Sequence, residues 1–238
     1  NNKGKEVDIG SICSGGAYAK LISRFRGVDI PGTGISFGVD RLLFALMQLD
    51  QIKIEDQKPA SGRILLSEPF LADPNFTHSV ILLVRHDTEG SVGFTINHPS
   101  DTKLNEILVD FPSTNSLVYV GGPVSNESLF YLHTLGNKLS GSIKIQEGLY
   151  WGGDFEELKE LVASGQVSET EIIYLVGYSG WESGQLEGEL NKHSWIVTDI
   201  STENVFSGKS RELWNELLTL KSEAFKIVSN FPEDPNLN

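Results

Sequence analysis

Cysteine is almost absent from this chain of 238 residues, which contains Cys13 alone. A single cysteine cannot form a disulfide within the chain, and it excludes a zinc site built on several thiolates. Apolar runs such as 80–84 and 172–176 have the length of β-strands, and no apolar run approaches the roughly 20 residues that span a bilayer. No basic segment followed by an apolar core opens the chain. These features predict a cytoplasmic protein with no membrane partner.

Basic residues are scarce in most of the chain, which carries 19 Lys and Arg against 32 Asp and Glu, for a net charge of −13. Residues 1–60 hold 8 basic against 7 acidic side chains, or +1, whereas residues 61–238 hold 11 against 25, or −14. Such an acidic surface repels phosphate backbones. Direct nucleic-acid binding is therefore disfavoured, and we expect a protein partner or a small ligand.

The histidines show no spacing typical of metal ligands; they are His78, His86, His98, His133 and His193. The stretch Gly121-Gly122-Pro123 lacks the Lys-Ser/Thr ending of a phosphate-binding loop, and the proline removes one N–H donor. We therefore predict no metal and no cofactor, with a tight turn at the two glycines.

A change in composition predicts two parts, residues 1–57 and 58–238. The stretch 57–62 is rich in chain-breaking and polar residues, and the charge balance changes there. In the first part, 35–37 reads as a short strand between glycines. The apolar residues from Val39 to Leu49 then recur at helical spacing.

Residues 58–238 mix strand and helix patterns. Strands are predicted at 63–66, 79–85, 92–96, 117–120, 129–133, 142–145, 172–176 and 195–197, and helices at 104–108, 154–162, around Leu186 and Leu190, and at 213–225. Segments 79–85 and 92–96 read as a hairpin closed by Asp87-Thr88-Glu89-Gly90. The order predicts an α+β fold with a mixed, curled, barrel-like sheet and flanking helices, preceded by a short strand–helix appendage.

Four ordered motifs between about 62 and 222 resemble the bacterial YqgE/AlgH family. They are Asp73-Pro74 with Phe76, Ser79 and Val80; His86, Glu89-Gly90, Gly93 and Asn97; Gly121-Gly122-Pro123-Val124 with Leu132-His133; and 177–187 with Trp195. The resemblance implies a cytoplasmic α+β protein that often carries the label of transcriptional regulator. It implies no enzymatic reaction.

The motif positions suggest where a ligand or partner would bind. The candidate binding residues are Asn97, Gly121, Gly122, Pro123, His133, Tyr178, Trp181, Gln185 and Glu187. Within this set we expect a groove beside Tyr178, Trp181, Gln185 and Glu187. The leading interpretation is a non-catalytic binding or regulatory protein.

The stretch Gly177-Tyr178-Ser179-Gly180-Trp181 is similar to the nucleophile elbow of hydrolases, G-x-S-x-G, but its fifth residue is tryptophan. We therefore predict no catalytic residue here. We expect a glycine-rich turn between a strand and a helix, with Ser179 or Ser183 capping the helix. A hydrolase using Ser179, or a His86/His133 pair, stays an alternative.

Residues 9–49 resemble the end of a histidyl-tRNA synthetase catalytic core. Gly34, Gly38 and Arg41 match motif 3 of class II synthetases, whose arginine meets the ATP phosphates. A histidine-binding G-G-R-Y-D motif is matched only by Gly-Gly-Ala-Tyr-Ala at 15–19, which lacks both charged residues. We expect a vestigial fragment, with an ATP- or histidine-binding sensor as the alternative.

Overall fold

The computed structural model describes residues 57–69, 71, 73–210 and 212–221, together with the backbone of two strands nearer the start of the chain. The chain divides into two units, Asn1–Ile54 and Glu55–Asn238. In the first unit, strand β1 (Cys13–Ala17) pairs antiparallel with β2 (Thr33–Phe37). The strand predicted at 35–37 is confirmed within β2, while the helix predicted from Val39 lies outside the described residues.

The second unit carries one large sheet and a few helices. Its strands are β3 (Arg63–Ser67), β4 (Val80–Asp87), β5 (Gly90–Thr95), β6 (Pro99–Lys103), β7 (Leu117–Val120), β8 (Val124–His133), β9 (Ile143–Gln146), β10 (Leu149–Trp151), β11 (Ile172–Glu182) and β12 (Trp195–Asp199). Its helices are α1 (Leu104–Ile107), α2 (Phe155–Ala163), α3 (Gln185–Asn191), α4 (Thr202–Val205) and α5 (Leu213–Lys221), with 3-10 turns at Gly136–Lys138 and Glu169–Glu171.

The strand order in the sheet is β12-β3-β4-β5-β11-β8-β10-β9, with β7 bonded to β11 and β6 bonded to β7. The β7–β11 pair is parallel and the other pairs in the described sheet are antiparallel. The predicted α+β class with a mixed sheet is therefore confirmed. The expected barrel-like closure is wrong, because the described sheet is open and runs from β12 to β9 without pairing its ends.

Local sequence signals account for two of these elements. The β4–β5 hairpin turns at Thr88 and Glu89, where the Glu89 N–H donates to the Asp87 side chain at 2.8 Å. Helix α2 begins after Asp154, whose carboxylate accepts from the Glu157 N–H at 2.9 Å. An acceptor at this position satisfies one of the free donors of the first turn. Both elements were predicted from these residues.

Strand β11 changes its pairing partner on one side. Its first half pairs with β7 and its second half with β5, while β8 runs along its other side. The predicted turn at 177–181 is therefore wrong, because these residues continue the strand. The pairing register with β8 shifts between Val176 and Tyr178, and Gly177 between them has φ of +73°.

Where the register shifts, the chain that follows β7 crosses over β11, and the backbones of the two segments are in direct contact. A Cβ atom on Gly177 would lie 2.4 Å from the Gly122 carbonyl oxygen, and one on Gly121 would lie 2.4 Å from the Gly177 oxygen. The Gly121 N–H donates to the Val176 oxygen, and the Gly121 oxygen accepts from Thr95 N–H, each at 2.8 Å. Gly121 thus joins β5 to β11 through its own backbone.

Two hydrophobic clusters cover different parts of the sheet. One gathers Leu104, Phe111, Val118, Tyr131, Leu135, Leu139, Leu158, Ile172 and Tyr174 around α1 and α2. The other gathers Leu65, Ile81, Leu83, Trp181, Leu186, Trp195 and Val197 beneath α3. Strand β11 contributes to both clusters, so it links them. Within the ranges the structure describes, no helix is long and apolar enough to cross a membrane.

The crossing predicts a large cost for a side chain at Gly177. In Gly177→Ala, the new methyl group meets a backbone oxygen and the residue keeps a left-handed φ, so we expect a loss of about 3–5 kcal/mol in unfolding free energy. Urea unfolding measures the change.

Gly165→Ala is the matched control, because Gly165 has φ of +70° and a Cβ there meets nothing within 4 Å. It should lose only about 1–2 kcal/mol, the cost of the backbone conformation alone. Equal losses in the two variants would show that the contact with Gly122 contributes nothing.

Candidate functional site

Helix α3 is tied to the sheet through Glu189. One oxygen of this half-buried carboxylate accepts from both indole N–H groups, of Trp181 at 2.9 Å and Trp195 at 2.7 Å. The other oxygen accepts from the Gln185 amide at 3.0 Å. The two indole rings meet edge to face with centroids 6.0 Å apart. Trp181 and Gln185 therefore come together, as the predicted groove requires, around an acceptor that was not assigned to the groove.

The hairpin presents His86 to the same helix. His86 Nδ1 lies 2.8 Å from Ser91 Oγ, and His86 Nε2 lies 3.7 Å from Glu187. Serine, histidine and carboxylate in this order resemble a proton relay. However, Ser91 is only 3% exposed and lies within the β5 ladder opposite Trp181, so a substrate carbonyl cannot approach its hydroxyl. The array ties the hairpin to α3.

Tyr178 does not join this group. It lies three residues from Trp181 along β11, and an odd separation in a strand directs side chains to opposite faces. The Tyr178 ring instead packs edge to face against Phe130 of β8, at 5.9 Å between centroids. The predicted groove is therefore divided by the sheet: Trp181, Gln185 and Glu187 lie on one side, and Tyr178 lies on the other.

Ser179 is buried within β11 and does not cap a helix. Its side chain is 1% exposed, and its hydroxyl has no hydrogen-bond partner among the described residues. Helix α3 instead begins at Gly184 without a side-chain cap, and Ser183 donates to the Thr88 oxygen. The predicted caps are wrong. Ser179 also lacks the adjacent base that would activate a nucleophile.

His133 is fully buried and is hydrogen-bonded through both ring nitrogens. Its Nε2 lies 2.9 Å from the Gly152 oxygen, and its Nδ1 accepts from the Leu135 N–H at 3.2 Å. Nε2 therefore carries the proton and Nδ1 is the acceptor. Burial lowers the pKa of His133, and the bond to Gly152 opposes that shift only in part. The ring fastens the β8–β10 junction.

The His86 and His133 side chains do not meet. His86 faces Ser91, which is opposite Trp181, and His133 is opposite Ile172. Trp181 and Ile172 are nine residues apart on β11, which corresponds to roughly 30 Å at the rise of a strand. A base must come within about 3 Å of its proton, directly or through one water. The alternative that joined the two histidines is therefore wrong.

The remaining motif positions serve the backbone. Asn97 is buried, accepts from the Val80 N–H and donates to the His78 oxygen, both at 2.8 Å. Gly121 and Gly122 form the crossing over β11, and Pro123 follows it on the surface. In the first unit, Gly34 lies opposite Gly16 in the β1–β2 ladder. Gly38 and Arg41 lie outside the described residues.

The sequence did not indicate an apolar cavity of about 380 Å³ beside β8. Its walls are Leu108, Leu129, Phe130, Tyr131, Trp151 and Phe155, with the backbone of Gly152 and Gly153. These residues come from four separate segments, and none matches a catalytic or metal pattern. Only the fold brings them together. Elsewhere in the described ranges, no three His, Cys, Asp or Glu side chains are grouped so that they could hold a metal ion.

Comparison with known proteins gives a consistent family signal. A family model described as AlgH-like, DUF179, matches residues 64–226. A UPF0301 protein of Cytophaga hutchinsonii is 40% identical over 178 residues, which cover 74% of this chain and 98% of that protein. A UPF0301 protein of Chlorobaculum tepidum is 37% identical over 177 residues, which cover 74% of this chain and 95% of that relative.

Two solved structures share the fold. The solution structure of the AlgH protein from Pseudomonas aeruginosa aligns with a TM-score of 0.59 and 26% identity, over 76% of this chain and 100% of that one. The crystal structure of protein DIP2367 from Corynebacterium diphtheriae aligns with a TM-score of 0.62 and 22% identity, over 75% of this chain and 95% of that one. Residues 9–49 lie outside the range that the family model matches.

Removal of the Glu189 carboxylate should destabilise the fold. Glu189→Ala leaves two buried indole N–H groups without their acceptor, and we expect a loss of about 2–4 kcal/mol with a changed near-ultraviolet circular dichroism spectrum. Glu187→Ala is the control, because Glu187 lies two residues before Glu189 and its side chain is half exposed. This variant should lose less than about 1 kcal/mol of unfolding free energy. Similar losses for both would contradict the role given to Glu189.

Acid should destabilise the fold through His133. Because burial lowers the pKa of His133, the unfolded chain binds its proton at a higher pH than the folded chain does. Stability is therefore retained above the ordinary pKa of about 6.5 and falls as the pH drops below it. A proton on Nδ1 would also remove the acceptor for the Leu135 N–H.

Chemical unfolding at pH 7.5 and at pH 5.0 measures this effect. His133→Gln should lose less stability between the two pH values than the parent chain does. Burial also lowers the pKa of His98, so His98 destabilises the fold in acid in the same direction. Part of the stability loss between the two pH values should therefore persist in His133→Gln. A His133 ring that titrates at or above about 6.5 by NMR would contradict the account.

Proposed function

The chain belongs to the AlgH-like family DUF179, and from this premise we propose that it is a non-catalytic binding protein with a regulatory role in the cytoplasm. The observation that carries the proposal is the use of the motif side chains. The side chains of His86, Asn97, His133 and Gln185 hold strands, turns and helix α3 together, and the unpartnered Ser179 hydroxyl is buried.

Three motif residues illustrate this use. Asn97 bonds to two backbone groups on the neighbouring strand segment, His133 bonds to Gly152 and Leu135, and Gln185 bonds to Glu189. A general acid or base needs a free lone pair or proton facing its substrate. Side chains whose polar atoms are already hydrogen-bonded within the fold stabilise it and are not available for catalysis.

The polarity of the partner follows from charge and surface. Residues 61–238 carry a net charge of −14, which disfavours nucleic acid and favours a protein or a neutral or cationic small ligand. Among the candidate binding residues, Pro123, Gln185 and Glu187 are exposed and Tyr178 is half-buried, so these four can contact a partner at the surface. The regulatory role rests on the label that the resembling family carries.

A second candidate function, hydrolysis, is favoured by one contact set only, the Ser91–His86–Glu187 array. Against it stands the burial of Ser91. The alternative centred on Ser179 is weaker, because the Ser179 hydroxyl contacts no base.

We also propose that the synthetase-like segment at 9–49 is vestigial. Gly34 sits in a two-stranded ladder, and the charged residues of the histidine-binding motif are replaced by alanine at 17 and 19. Calorimetry of the full chain with ATP and with histidine tests the alternative sensor. Binding that disappears in Arg41→Ala would overturn the vestigial assignment.

A panel of ester, phosphoester and nucleic-acid substrates tests the non-catalytic proposal. We expect no turnover above background, and equal background from the parent chain, Ser91→Ala and His86→Ala. Turnover that either substitution abolishes would establish a hydrolase and overturn the proposal. Turnover abolished by Ser179→Ala would do the same through the other serine.

The unfolding free energy of serine-to-alanine variants tests whether the Ser179 hydroxyl contributes to the fold. Ser179→Ala removes a buried hydroxyl that has no partner, so we expect the unfolding free energy to stay unchanged or to rise by about 1 kcal/mol. Ser67→Ala is the control, because the equally buried Ser67 Oγ accepts from the Ser79 N–H at 2.8 Å. That control should lose about 1–2 kcal/mol. A loss in Ser179→Ala as large as in the control would contradict this assignment.

A further inference from the structure

The apolar cavity beside β8 has the size and walls of a small-molecule site. Its volume of about 380 Å³ falls within the range of roughly 300–1,000 Å³ typical of ligand pockets. Phe130, Tyr131, Trp151 and Phe155 supply aromatic walls, and Leu108 and Leu129 supply aliphatic ones. Large flat walls of this kind favour a planar ring over a flexible chain.

The walls carry no charged side chain. The ionisable wall residue is Tyr131, whose hydroxyl donates to the Gly153 oxygen at 2.6 Å. Burial, with a smaller contribution from Asp154, raises the pKa of Tyr131 to about 12, so the hydroxyl stays neutral. A charged ligand would lose its hydration here without gaining a counter-charge, because no wall supplies one. The occupant is therefore an uncharged molecule.

The backbone of β8 adds one polar edge to the cavity. The Tyr131 oxygen accepts from the Gly152 N–H, so Tyr131 directs its backbone groups away from β11. Backbone direction repeats every second residue in an antiparallel strand, so Leu129 directs its N–H and C=O to the same side. Val176 of β11 lies opposite Leu129, and its oxygen accepts from the Gly121 N–H on the side of β11 away from β8. Val176 and Leu129 therefore do not bond to each other through their backbones, as expected if Leu129 directs its N–H and C=O away from β11.

Leu129 lies beyond the end of β10. The β8–β10 ladder pairs His133 with Tyr150 and Leu132 with Trp151, and its last bond is from Gly152 to Tyr131. The N–H and C=O of Leu129 therefore face the cavity that Leu129 lines. One donor and one acceptor side by side match a ligand with an acceptor and a donor on one edge.

This edge is too short for an added peptide strand. The regular pairing of β8 with β11 is interrupted between Leu129 and Val124, and Ser125 in that stretch has φ of +53°. On the other side, β10 already occupies the edge from Tyr131 onward. A peptide strand needs several successive donor–acceptor pairs, whereas a single ring compound needs one.

From this geometry we propose that the cavity binds a small, uncharged, planar ring compound that pairs with the Leu129 backbone through an N–H and a C=O on one edge. Cyclic amides and neutral heteroaromatic amides have this chemistry. The site is distinct from Trp181, Gln185 and Glu187, because none of these three residues lines the cavity. The inference rests on the proposed binding function and names the chemical class of its ligand.

Quinolin-2(1H)-one is the probe. N-methylquinolin-2-one is the matched control compound, because it carries N–CH3 in place of the N–H donor and is otherwise the same. Titration of the 238-residue chain, followed by amide NMR shifts and tryptophan fluorescence, should show saturable binding of the first with Kd below about 1 mM. The amides of Leu129 and Gly152 should shift most. The N-methyl compound should bind about five- to tenfold more weakly, since it cannot donate to the Leu129 oxygen.

Leu108→Trp fills the cavity and should weaken binding of the probe at least about tenfold. Ile143→Trp adds the same side chain at an exposed site outside the cavity walls and should leave binding unchanged. If Leu108→Trp fails to fold, the shift map of the parent chain still decides the question.

Three results would overturn the inference: no saturable binding of the probe, equal binding of both probes, or shifts centred away from Leu129. An extended apolar peptide that shifts a continuous run of β8 amides, with no response to the probe, would replace it with strand addition. The proposed non-catalytic function fails separately, through turnover in the substrate panel, and does not depend on this titration.

Discussion

The fold depends on one backbone contact, the crossing of Gly121 and Gly122 over Gly177. There the chain passes from β7 to β8, and β11 exchanges one neighbour for another. Side chains cannot fit, because a Cβ on any of the three glycines would come within 2.4 Å of a backbone atom. The two hydrophobic clusters share β11, so a disturbance at the crossing reaches both of them. This constraint explains why glycines occupy these three positions.

Polar residues in and beside the motifs also hold the fold together. Glu189 holds two tryptophans, His133 holds the junction of β8 and β10, and Asn97 holds the entry to β4. Each is a buried or half-buried group with at least two hydrogen-bond partners, which stabilises one arrangement of strands over others. These contacts keep the sheet rigid, and the ligand that we propose would bind at a surface lined by apolar and aromatic residues. The cavity beside β8 is such a surface.

Sequence patterns predicted the elements that depend on local chemistry. The hairpin at Asp87–Gly90 and the helix after Asp154 carry their own turn and cap signals, and both are present. The prediction for 177–181 was wrong, because the two glycines and the serine of this stretch favour a turn when its sequence is considered alone. Its extended course is imposed by β5 and β8, which lie far away in the sequence. The predicted closed barrel was wrong for the same reason. Closure depends on which strands pair with each other, and the local sequence of each strand does not determine that.

The candidate site was predictable only in part. The motif residues around α3 were found from the sequence, but their division between two faces of the sheet depends on the alternation of β11, which the predicted turn concealed. The cavity could not be found, because Leu108, Leu129, Trp151 and Phe155 have no shared pattern until the fold joins them.

Native-state amide hydrogen exchange tests most directly whether the glycine crossing holds the sheet together. The account predicts that the amide of Gly121, bonded to Val176, exchanges only through global unfolding, as slowly as the amides at the centre of β4. A Gly121 amide that exchanges as fast as those of the exposed hairpin turn at Thr88 and Glu89, while the rest of the sheet stays protected, would contradict it.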